Sequence, residues 1–188
     1  HKDNLIENGN FFAGLEATQT GDLDRSIGRN NFIRVPNPGA GEFVLEQDGI
    51  NNNEYDMRIT GIKPNSCYVL SCWVAWNKDF MGSAKLFHFD AAGGNDSLNW
   101  PPNNTDARGS WINYRTDVIL GRKVIGGLTW YRVFVKVYTK ENANIGSIRV
   151  HLGSKNGPGS NSWVGLNPGA GYGSSTLGRR YFTDLRFE

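Results

Sequence analysis

The residues with the most chemistry to offer are aromatic and polar side chains set into short alternating segments. Trp73 lies in Cys67-Tyr68-Val69-Leu70-Ser71-Cys72-Trp73-Val74-Ala75-Trp76. Trp130 and Arg132 share one side of Trp130-Tyr131-Arg132-Val133-Phe134-Val135-Lys136-Val137-Tyr138 with Phe134, Lys136 and Tyr138. Arg149 and His151 stand on the polar side of the segment from Ile148 to Leu152, and His88 on that of Lys85 to Asp90. Trp100 and Trp163 sit in polar, turn-rich surroundings. An indole offers a flat apolar surface, and guanidinium and imidazole groups bind hydroxyls and carboxylates, so the set suits recognition of a polyhydroxylated ligand. Each residue also has a plainer explanation. A buried Trp is simply core, and Arg or Lys on a polar face is solvated or lays its stem over apolar surface. Location therefore decides. On the Trp73 segment, the opposite face of Tyr68, Leu70, Cys72, Val74 and Trp76 is the one expected to be core.

Catalytic chemistry finds little support. Asp22, Asp24, Asp90, Asp96, Asp106 and Asp117 are scattered over turns and segment ends, and none of the three histidines falls in a nucleophile–base motif. No catalytic residue is expected, and the chain reads as a non-enzyme. Cys67 and Cys72, the two cysteines, lie five residues apart on one extended segment. That places them on opposite faces and roughly 16 Å apart, too far to bridge. No His or Cys pair has zinc-ligand spacing along the chain. A net charge of +2 gives no basis for a nucleic-acid partner, and no apolar run is long enough for a membrane span. Asn95-Asp96-Ser97 and Asn103-Asn104-Thr105 match the N-glycosylation pattern, which arises readily in an Asn-rich chain.

The elements that must position these residues are strands. Helical periodicity is nearly absent, while 24 glycines in 188 residues imply many turns. Further strands are expected from Gly41 to Gln47, Tyr55 to Thr60, Trp111 to Leu120 and Tyr181 to Phe187, making nine or ten in all. Strands at this spacing without helices between them predict an all-β fold: one antiparallel β-sandwich of jelly-roll type over residues 1–188. Two long loops, Ala91 to Ser110 and Ser154 to Gly178, interrupt it. Asn37-Pro38-Gly39-Ala40-Gly41 recurs as Asn167-Pro168-Gly169-Ala170-Gly171. Pro-Gly at the centre predicts a type II turn in each. The chain opens on His1, so it reads as a module of a larger polypeptide or a processed end, with no leader of its own.

The ends carry a resemblance. Asn4-Leu5-Ile6-Glu7-Asn8-Gly9-Asn10-Phe11, Tyr68 to Val74, Thr129 to Phe134, and Tyr181-Phe182-Thr183-Asp184-Leu185-Arg186-Phe187 are similar in order and spacing to strands of the galactose-binding-like jelly-roll carbohydrate-binding modules attached to xylanases and glucanases. Similar sandwiches occur on virus and phage surface proteins. The resemblance implies adjacent first and last strands. It also implies non-catalytic binding of a polysaccharide or cell-surface glycan, with Trp73, His88, Trp100, Trp130, Arg132, Arg149, His151 and Trp163 as candidate contacts. The alternative is a structural or adhesion module of a virion, phage fibre or extracellular assembly. Either setting is extracellular or surface-displayed, with other domains of the same polypeptide as neighbours. A structural calcium ion is implied as well, on Glu7, Asn10 and Asp184. The motif is depleted, because Asn10, Phe12 and Thr183 stand where acidic residues are usual, and calcium favours carboxylate oxygens.

Overall fold

The computed structural model describes residues 4–6, 9, 30–49, 53–77, 87–91, 98–99, 119–139, 148–154 and 175–188. Among them are ten strands: β1 Asn30–Arg34, β2 Phe43–Gly49, β3 Asn53–Ile59, β4 Cys67–Trp76, β5 Phe87–Ala91, β6 Leu98–Asn99, β7 Ile119–Ile125, β8 Leu128–Thr139, β9 Ile148–Ser154 and β10 Ser175–Phe187. They form two antiparallel sheets. The larger runs β1-β2-β10-β4-β8, with β7 and β6 sharing the far edge of β8; the smaller runs β3-β9-β5. The jelly-roll sandwich is thus as the alternation indicates.

Alternation also explains where the core lies. Tyr68, Leu70, Cys72 and Val74 of β4 are buried together with Leu45, Val133, Phe182 and Phe187 of the larger sheet and Tyr55, Ile59 and Leu152 of the smaller. These residues define the inner face. Tyr68 stacks on Phe187, and Trp76, expected as core, stacks on Tyr131. Gln47 crosses between the sheets, its side-chain amide donating to the Leu152 carbonyl at 3.0 Å.

The two ends meet. Leu5 N–H donates to the Phe187 carbonyl, and Leu185 N–H donates to the Gly9 carbonyl, each at 2.9 Å. Asn4 locks this strap: its side-chain oxygen accepts from Ile6 N–H and Phe187 N–H, and its Nδ2 donates to the Leu185 carbonyl. The opening asparagine of the motif is therefore a side-chain substitute for strand pairing.

Two local expectations need correction. Gly39 does not have the positive φ that a type II turn requires; the loop is closed instead by Asn37, whose Oδ1 accepts from Gly39 N–H and whose Nδ2 donates to the Val35 and Gly41 carbonyls. The repeat at 167–171 lies outside the described residues, as does most of the strand expected at 111–120, which meets β7 only at its last two residues. Gly126 and Gly127, at φ of 59° and 78°, join β7 to β8 in a two-residue turn of the I′ kind. Gly-Gly between Ile125 and Leu128 is the signal that locates this hairpin.

The cysteines lie as their spacing requires: Cys67 is exposed, Cys72 is buried, and neither forms a disulfide. Burial pushes the Cys72 thiol up to about 12, with Arg132 pulling the other way. A folded value above the unfolded one of about 8.5 means this contribution to stability is complete below that pH and is lost as pH rises toward 12. Unfolding free energy is expected to fall by about 1.4 kcal/mol per pH unit over that window from this group alone. In Cys72→Ala the alkaline slope should be shallower by about one proton, whatever the variant loses at neutral pH. An unchanged slope would contradict the assignment. Thiol titration of the native protein should label Cys67 and spare Cys72.

Candidate functional site

The outer face of the larger sheet, turned away from the smaller one, carries the residues that alternate with the core. Its strands stand in the order β10, β4, β8, β7, so their cross-strand partners form rows. Tyr181, Ala75, Trp130 and Lys123 make the first; Thr183, Trp73, Arg132 and Gly121 the second; Arg186, Ser71 and Phe134 the third; and Val69 and Lys136 the fourth. In the first row Tyr181, Ala75 and Trp130 are sealed with Val44 into a second apolar cluster. The later rows open progressively: Trp73, Arg132 and Phe134 are partly exposed, and Arg186 and Lys136 are exposed.

Trp73 and Arg132 are direct cross-strand partners. The indole leans across β8 toward β7, where its far edge would be 3.9 Å from a Cβ at Gly121. The ring edge thus lies over the Gly121 backbone, at a distance where even a methyl group would make only ordinary contact. Two cations flank it, Lys123 Nζ at 5.5 Å and Arg132 Cζ at 5.9 Å from the ring centroid.

Arg132 is fixed in turn. Nη1 donates to the Asp184 carbonyl at 2.7 Å and to its carboxylate at 3.1 Å, and Nη2 donates to Ser71 Oγ at 2.6 Å. The pair is largely withdrawn from solvent, with side-chain exposures of 12% for Arg132 and 14% for Asp184. Burial lowers the Arg132 pKa, and the Asp184 charge opposes that shift. The other Asp184 oxygen accepts from Arg186 Nε, and Arg186 Nη1 donates to Glu188. The bond to Asp184, then its charge, raises the Arg186 pKa. Asp184 can do this because β10 carries one extra residue against β4 at this point, and Asp184 takes a φ of 50°. The bulge aims its carboxylate along the outer face.

Of the sequence-derived candidates, the structure brings Trp73 and Arg132 together. Trp130 shares their face but is fully buried and belongs to the second core cluster, so it is no platform for a ligand. Its alternation with Arg132 was a true reading of the face; what seals the first row is packing that alternation does not encode. His88, Arg149 and His151 belong to the smaller sheet, where His88 is opposite His151 and Arg149 opposite Asp90. Trp100, Trp163, Glu7 and Asn10 lie outside the described residues. Both carboxylate oxygens of Asp184 accept from arginines, and no cluster of three metal-ligating side chains occurs among the described residues. Lys123, Ser71 and Arg186 were not anticipated. The glycine pair that registers β7 on β8 was the available signal for Lys123.

No family model and no curated protein matches the sequence. Among solved structures, the chain is similar to the carbohydrate-binding module CBM27-1 of Caldicellulosiruptor saccharolyticus, crystallised with mannohexaose, at 12% identity and a TM-score of 0.45 over 99% of this chain and 97% of that one. It is similar to the carbohydrate-binding module TmCBM27, characterised for mannan recognition, at 10% identity and a TM-score of 0.33 over 84% and 82%. The enzymatically active domain of bacteriophage CBA120 tailspike protein 4 also resembles it, at 11% identity and a TM-score of 0.42. The chain spans 98% of its own length in that match and 21% of the tailspike chain.

Proposed function

We propose that this chain is a non-catalytic carbohydrate-binding module whose glycan lies on the open rows of the outer face, over Trp73. The observation that carries the reading is an indole extended along an exposed sheet face, seated over a glycine and beside a fixed guanidinium. Stacking a sugar on the indole would exclude water from an apolar surface that is already organised, so little conformational freedom is lost on binding. Arg132, anchored by Asp184 and Ser71, would supply oriented donors to hydroxyls. Trp73 and Arg132 are the contacts named here.

The test is a glycan-array screen of the protein followed by titration calorimetry on a polysaccharide that scores. Trp73→Ala is expected to weaken binding by about 2 kcal/mol, some 30-fold, while leaving the thermal midpoint within a few degrees. Unaltered affinity would reject the site. Repeating the screen with calcium and with a chelator tests the ion expected at Glu7 and Asn10.

A second reading has its own observation. Leu120 and Val124 on the edge strand β7 are 62% and 66% exposed. Exposed apolar side chains on an edge strand suit packing against another chain in a structural or adhesion module. Silence across the array, with a concentration-dependent dimer in sedimentation, would favour that reading.

A further inference from the structure

The outer face holds a pattern that goes beyond a single stacking residue. Along β8 and its partners the successive rows carry Lys123, then Trp73 beside Arg132, then Phe134, then Lys136, so cations and aromatic rings are interspersed. Lys123 is level with Trp130, six residues of β8 from Lys136, so the run extends about 20 Å. Its charge is not balanced locally. Asp184 and Glu188 are the carboxylates beside it, and both are bonded by arginines. No carboxylate among the described residues pairs with Lys123 or Lys136.

Resting on the carbohydrate reading of this same face, we propose that the ligand is an acidic polysaccharide, one whose sugars carry carboxylates, laid lengthwise along β8. Rings would stack on Trp73 and Phe134, while carboxylates would meet Lys123, Lys136 and the free donors of Arg132. A carboxylate at either end of the run would find an ammonium group that no carboxylate among the described residues pairs with. The aromatic and cationic side chains would also suit single-stranded nucleic acid. The face carries two lysines without a carboxylate partner among the described residues rather than the broad basic stripe that nucleic-acid binding uses, and this favours the sugar.

The experiment is calorimetry with polygalacturonate, alginate, an uncharged galactomannan and a single-stranded DNA oligonucleotide, each at low and at moderate salt. The expected result is binding to an acidic polysaccharide, weakened about tenfold by the added salt. The Lys123→Gln/Lys136→Gln variant should lose about tenfold on that polysaccharide; both side chains are exposed, so folding is not at risk. Preference for galactomannan without salt dependence, or an unchanged double variant, would overturn the acidic ligand and leave the carbohydrate module standing. Binding to no polysaccharide would overturn both. Tighter binding to the oligonucleotide would overturn both and assign the run to nucleic acid.

Discussion

Asp184→Ala is expected to lower the unfolding free energy by about 3 kcal/mol or more. The carboxylate is the counterion of Arg132, whose guanidinium is mostly withdrawn from water and loses its compensation when Asp184 goes. Removing one member of such a pair costs far more than the pair contributes as a unit. Alanine at a φ of 50° adds backbone strain of about 1 kcal/mol. Chemical denaturation checks the value, and Arg132→Met separates its parts. Combined with Asp184→Ala, Arg132→Met should be less damaging than Asp184→Ala alone, because no charge is then stranded. A loss under about 1 kcal/mol for Asp184→Ala would show that water reaches the guanidinium freely. Glycan affinity should fall in step, since Arg132 loses its anchor while Trp73 is untouched.

Gly9→Ala comes next, with an expected cost of about 3 kcal/mol. A Cβ at this position would run into the Leu185 carbonyl oxygen, and its next contact is that residue's carbonyl carbon, so backbone rather than a yielding side chain stands in the way. Relief requires the strap to lift. The Leu185 N–H bond to Gly9 is then lost, and the three contacts of Asn4 are strained with it. Thermal unfolding of Gly9→Ala should show a midpoint lower by about 8 °C for a domain of this size. A midpoint within 2 °C of the parent would mean that the strap is not closely applied to β10.

Much of this was legible because strand alternation reports faces. The β4 segment was bounded correctly from its residues, its core side was identified, and Trp73 was set on the other side with Ser71. The adjacency of the two ends followed from the matching motifs. Pairing was not legible. Nothing in local sequence says that Arg132 faces Trp73 across two strands far apart in the chain, or that Gly121 is the seat for its ring. Nor does alternation distinguish Trp130 from Trp73: both occupy the outer face, and only the depth of packing in the first row makes one core and the other accessible. Asp184 shows the same limit in another form. The bulge in β10 turns it toward two arginines, a pairing the sequence does not announce, because a bulge is a property of two strands together.

The strap between the chain ends has a mechanical consequence. Leu5 and Phe187 are bonded side by side, so the chain enters and leaves the sandwich at the same point. A pull on both ends would load the Glu188–Val69 pair and the bonds of Asn4 and Leu5 to Phe187 first, then the Leu185 bond to Gly9, peeling them in succession rather than shearing them together. Tension would therefore open the sandwich at its seam well before the sheets part, while the rows around Trp73 remain on strands still paired to β8.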